Sequence, residues 1–127
     1  MSKISCRLIS IVIMIVALAS PAIVHAGSKS KGPLTEDAAL NLLLHTIEHD
    51  HVYAKRISLD CVTFDTEETT RIYFQIALRE KHDSKCGGDP DLSPVIDRYR
   101  VNRASGKIES YDAAADRWHD YSAAKIK

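Results

Sequence analysis

The sequence predicts an α+β fold: one N-terminal helix packed on a curled four-stranded antiparallel sheet. Three observations carry this. Leu40, Leu43, Leu44 and Ile47 recur at helical spacing and make one apolar face. The period then drops to two, with Ile72, Phe74, Ile76 and Leu78 alternating with Tyr73, Gln75, Ala77 and Arg79. Turn residues punctuate the rest of the chain, at Cys86-Gly87-Gly88-Asp89-Pro90 and again at Ala104-Ser105-Gly106.

Residues 1–26 read as a secretory signal peptide. Lys3 and Arg7 precede an apolar run over 8–19, Ser20-Pro21 breaks it, and Val24-His25-Ala26 is a small-x-small cleavage site before Gly27. The run is too short to span a membrane. Cys6 lies ahead of the run, not after it, and is expected to leave with the signal. Residues 27–32, rich in Gly, Ser and Lys, are expected to be a flexible tail. A single domain is expected over 33–127. All 17 acidic residues follow Ala26, whereas Lys3 and Arg7 of the 17 basic ones precede it, so residues 27–127 carry a net charge of −2. That balance provides no electrostatic footprint for nucleic acid or an anionic membrane.

Within the domain, Thr35 is placed as N-cap, with Glu36 and Asp37 complementing the helix dipole. The helix is expected to run to about residue 53, with His51 extending the apolar row as a core-edge histidine. A first strand is expected over 57–62 and a second over 72–79, joined by a polar connection at 65–70. Residues 79–91 read as a loop. The third strand, 95–103, puts Val95, Tyr99 and Val101 on one face and Ile96, Arg98 and Arg100 on the other. Asp97 falls on the apolar face, where a lone carboxylate is costly, so a strand-end position or a basic partner is expected. Ser105-Gly106 turns the chain into a fourth strand over 107–111. Trp118 and Tyr121 in the tail are expected to cover a sheet edge or the open end of the core.

This order of one helix followed by hairpin-joined strands resembles the cystatin-like class and the PepSY-like exported bacterial domains. The Gly-Asp-Pro loop before Asp97-Arg98-Tyr99-Arg100 is also similar to that of small exported bacterial proteins. The resemblance implies the fold and an extracytoplasmic setting, and assigns no functional residues.

Two cysteines remain after Ala26, Cys61 and Cys86, and an even count in an exported chain reads as one disulfide. They lack the Cys-x-x-Cys spacing of a redox pair. His45-Thr46-Ile47-Glu48-His49 fits the His-x-x-Glu-His inverted zinc-protease motif. Helical phase opposes that reading, because His45 and His49 fall roughly 150–170° from the apolar face, on the solvent side. The pair is retained as a candidate metal site, His45 with His49. Asp83, Asp89 and Asp91 around Gly87 and Gly88 lack the spacing of a calcium hand. Arg98, Arg100, Arg103 and Lys107 make a basic strip, expected to be solvated and paired with Glu109. No nucleophile elbow or phosphate loop is present in the sequence, and no cofactor is expected.

The functional expectation is a non-enzymatic periplasmic or secreted binding protein whose partner is another exported or envelope protein, with an inhibitor or immunity protein as the concrete form. The expected contact surface is the loop over 83–94, with Asp83, Gly87, Gly88, Asp89 and Asp91. The alternative is a small-ligand or metal-binding domain using the His45/His49 face or the concave sheet.

Overall fold

The computed structural model describes residues 32–126. The expected signal peptide, Cys6 and all of the expected tail but Gly32 lie outside the described residues. Thr35 caps helix α1, Glu36–His49, its hydroxyl accepting from the Ala38 amide at 3.3 Å. Ala39, Leu43 and Ile47 are the buried stripe of α1, with Leu40 and Leu44 half-buried beside it. The helix stops earlier than expected. Asp50 is its C-cap, and His51 takes a φ of 52° and is exposed. That left-handed residue reverses the chain, so Val52 and Tyr53, not His51, enter the core.

Five strands form one open antiparallel meander in the order β1-β2-β3-β4-β5: Val62–Thr69, Tyr73–Glu80, Val95–Asn102, Ile108–Asp112 and Arg117–Asp120. The fold class is therefore α+β as expected, but the sheet is open and has a fifth strand, not the curled four. The first strand also lies later than expected. Residues 59–61 form a short 3-10 turn, and the polar stretch expected as a connection is itself strand β1. Only the sheet face towards α1 is covered, so β1 needs apolar residues on that face alone, and its threonines suit the pleat. A bulge between Thr66 and Glu68 makes Glu67 the extra residue. Ile72, expected inside the second strand, lies in the turn before it and is 65% exposed. Helix α2, Ala123–Ile126, closes the described chain.

The core is the α1 stripe together with Val52, Tyr53, Val62 of β1, Phe74, Ile76 and Leu78 of β2 and Tyr99 and Val101 of β3. Burying each large apolar side chain contributes about 1.5–3 kcal/mol. Gly106, at φ 72°, lets the β3–β4 turn approach the helix: a Cβ there would stand 3.2 Å from Leu42 Cδ2. Arg103 leaves the expected basic strip, lying 4.8 Å from the Phe74 ring centre and donating to the Thr70 carbonyl at 2.7 Å.

Candidate functional site

Cys61, in the turn before β1, and Cys86, in the β2–β3 loop, form a disulfide, as the cysteine count implied. The loop is organised around it. Asp83 Oδ1 accepts from the amides of Lys85 (2.9 Å) and Cys86 (2.8 Å), and its other oxygen pairs with Lys81 at 3.0 Å. These contacts, the Cys86 amide foremost, hold its carboxyl down at about 2. The Gly87 amide donates back to the Asp83 carbonyl at 2.8 Å. Asp89 Oδ1 accepts from the Asp91 amide at 3.0 Å. At the far end, Ser93 Oγ donates to the Glu80 carbonyl, and Arg79 donates to the Ser93 carbonyl. Of the five residues expected to form the contact surface, Asp83 and Asp89 thus have their side chains engaged within the loop, and Gly87 its amide. The Asp91 carboxylate meets no described residue, and Leu92 beside it is 56% exposed.

His82 is the residue that sequence reasoning does not single out. Its side chain is 14% exposed, with Nδ1 2.9 Å from the Asp89 carbonyl oxygen and Nε2 3.0 Å from Glu80 Oε2. Both partners are acceptors, and only an imidazolium donates from both nitrogens. The Glu80 carboxylate, then the Asp89 carbonyl, accordingly raise its pKa. The ring lies directly beneath Gly88. A Cβ there would meet it at 2.6–2.7 Å, and the Gly88 φ is 81°. Gly88 is required on both counts.

His45 and His49 are exposed, as helical phase implied, with their rings stacked 6.4 Å apart. His49 Nδ1 bonds Asp50 Oδ1 at 2.9 Å. Among the described residues no group of three or more His, Cys, Asp or Glu side chains is placed to hold a metal ion.

The sheet face away from α1 carries a second cluster. Glu67, turned by its bulge, receives Arg98 (2.8 Å), Arg79 (3.1 Å) and Gln75 (3.3 Å). Arg98 foremost holds the Glu67 carboxyl below its ordinary value. Arg100 pairs in register with Glu109 across the β3–β4 ladder, yet forms no ion pair with it. Its guanidinium lies instead 4.3 Å from the Tyr73 ring centre and 4.0 Å from that of Trp118. Gln75 Oε1 accepts from Nε and Nη2 at 3.3 and 3.1 Å. Tyr111 packs on Trp118 at 5.1 Å, and with Gln75 and Arg98 these aromatics line a depression of about 280 Å³. Trp118 reaches this face because residues 117–120 are a strand, where the sequence pattern suggests only a tail.

On the opposite face, a crevice of about 560 Å³ is lined by Asp97, Ser110, Asp112, Arg117 and His119 among others. Asp97 has its expected basic partner, Arg56 at 4.0 Å, and accepts from the Tyr53 hydroxyl at 2.6 Å. Having donated its proton, Tyr53 accepts from Tyr99. Burial raises the Asp97 carboxyl, with the Tyr53 bond and Arg56 opposing. Ser110 Oγ lies 3.3 Å from His119 Nε2, but no carboxylate among the described residues bonds the other ring nitrogen. The pair lacks the third group that orients a base.

No helix of the described residues is long and apolar enough to cross a membrane. Comparison with protein-family models, with curated proteins and with solved structures finds no match to this chain.

Proposed function

We propose that the chain is an exported, non-enzymatic binding protein whose disulfide-rooted loop enters another exported or envelope protein, an inhibitor or immunity protein being the concrete form. One observation carries this reading. The groups that shape the loop are spent inside it, while the Asp91 and Leu92 side chains stand exposed and the Asp91 carboxylate meets no described residue. A loop ordered beforehand loses little freedom on binding, so its contacts appear as affinity. The helix-then-meander order, read as cystatin-like or PepSY-like, belongs to the same proposal, as does export through residues 1–26.

The test is capture of a partner by the mature protein from envelope extract. One stoichiometric protein partner is expected, bound about tenfold more weakly, or about 1.4 kcal/mol, by Asp91→Ala with Leu92→Ala. Thermal stability should not change in that variant. Unchanged affinity would move the interface off the loop. A second reading, a small-ligand domain, is favoured by the crevice around Asp97. Native mass spectrometry showing a co-purifying metabolite, and no protein partner, would select it.

A further inference from the structure

The geometry points to a second contact site, on the sheet face away from α1: Arg100, clamped between Tyr73 and Trp118, seats a single carboxylate side chain of a protein partner. This deepens the binding reading above by naming a chemistry that the partner must present.

Each other cation on this part of the face has a carboxylate. Arg79 is held by Asp65 and Glu67, Arg98 by Glu67, and Lys107 by Asp120. Among the described residues Arg100 has none, although Glu109 stands opposite it in the ladder. Its charge is instead oriented. The guanidinium carbon lies over the Tyr73 and Trp118 rings, and Gln75 occupies the Nε–Nη2 edge. The other fork, through Nη1, meets no described acceptor and is not sealed from solvent. A guanidinium fork presents two parallel donors and matches a carboxylate bidentately. The surroundings are Tyr73, Tyr111 and Trp118, the residue types that, with arginine, dominate binding energy at protein interfaces.

The rim decides the kind of occupant. Glu68 and Glu109 flank the cluster on neighbouring strands of the same face. An extended polyanion such as nucleic acid would bring repeated negative charge onto these carboxylates. A lone Glu or Asp between apolar neighbours satisfies Arg100 and rests on the rings.

Trp118 is the single tryptophan of the chain, so its emission reports this site alone. The probe is the blocked peptide acetyl-Ala-Leu-Glu-Leu-Ala-amide, titrated at fixed ionic strength while following Trp118 emission and the Arg100 Nε resonance. A saturable change is expected, with affinity about tenfold greater than for the Glu→Gln peptide, the scale of a charge-assisted hydrogen bond. Arg100→Gln should abolish it. Arg100→Lys, which keeps the charge but not the fork, should weaken it, and Glu109→Gln should tighten it. Asp91→Ala with Leu92→Ala should leave it unchanged, so failure of the loop reading and failure of this one are separable. Equal binding of the two peptides, or a response surviving in Arg100→Gln, would overturn the proposal. So would acetate binding as tightly as the peptide, or an oligonucleotide binding more tightly than either.

Discussion

The layer of α1 on the sheet and the loop between β2 and β3 are ordered by different forces. In the layer, Ala39, Leu43 and Ile47 join Phe74, Ile76, Leu78, Tyr99 and Val101 in a core that is almost wholly apolar. The loop contributes no residue to that core. Its shape comes from a disulfide, a carboxylate capping two amides, and an imidazolium held between a carbonyl and a carboxylate. Order in the layer therefore depends on volume and area, and order in the loop on redox state and protonation. The two can be perturbed separately.

The largest effect is expected in the layer. Leu43→Ala, at a fully buried position, should cost about 2–5 kcal/mol in urea unfolding, with the loop's amide exchange pattern retained until global unfolding. A cost under about half a kcal/mol would mean that α1 is not seated as described.

Removing the disulfide should come next. Its cysteines are 25 residues apart, for which chain entropy gives about 3–4 kcal/mol. In Cys61→Ala with Cys86→Ala, hydrogen exchange should quicken first in residues 81–94, while β2 and β3 stay protected. Loss of protection in β3 as early as in the loop would erase the distinction between the regions.

The smallest effect is one of pH. The Asp83 carboxyl is depressed from 3.8 to about 2, so its contribution is full above its unfolded value and is lost as pH falls through about 2. His82 has the opposite sign. Its pKa is raised, so its contribution is full below 6.5 and is lost as pH rises through its folded value. Loop amide protection should thus fall at both acid and alkaline ends. Asp83→Asn should remove the acid limb alone, and His82→Gln the alkaline one. A loop equally protected across both limbs would show that neither group holds it.

The two regions are also unequally legible in the sequence. The helix and strands β2 and β3 are readable because each has one apolar and one polar face, and burial enforces that difference. β1 escapes its true position because Asp65, Glu67 and Glu68 look like a turn until Asp65 is bound by Arg79 and Glu67 by Arg79 and Arg98. β5 is four residues long, too short for a period to register. Asp97 announces itself as a carboxylate among apolar neighbours, and Arg56 is the partner its position required. In the loop, Gly, Asp and Pro mark irregular backbone. They do not distinguish a carboxylate spent on an amide, such as Asp83, from one left outward, such as Asp91. The meeting of Arg100 with Trp118 is invisible in the sequence, because strand register alone brings residues 18 apart into contact.

The bulge at Glu67 bears on how copies of this chain behave when crowded. β1 is the outermost strand of an open sheet, and an open edge is a template on which fibres grow. The extra residue breaks the even spacing of its outward amides, and Asp65, Glu67 and Glu68 line the same stretch with negative charge. A second copy arriving edge to edge meets a kinked rail whose Asp65 and Glu67 are already bound to Arg79 and Arg98. Deleting Glu67 would take a carboxylate from Arg79 and Arg98, even out the ladder and turn the longest edge of the described sheet into an invitation to polymerise.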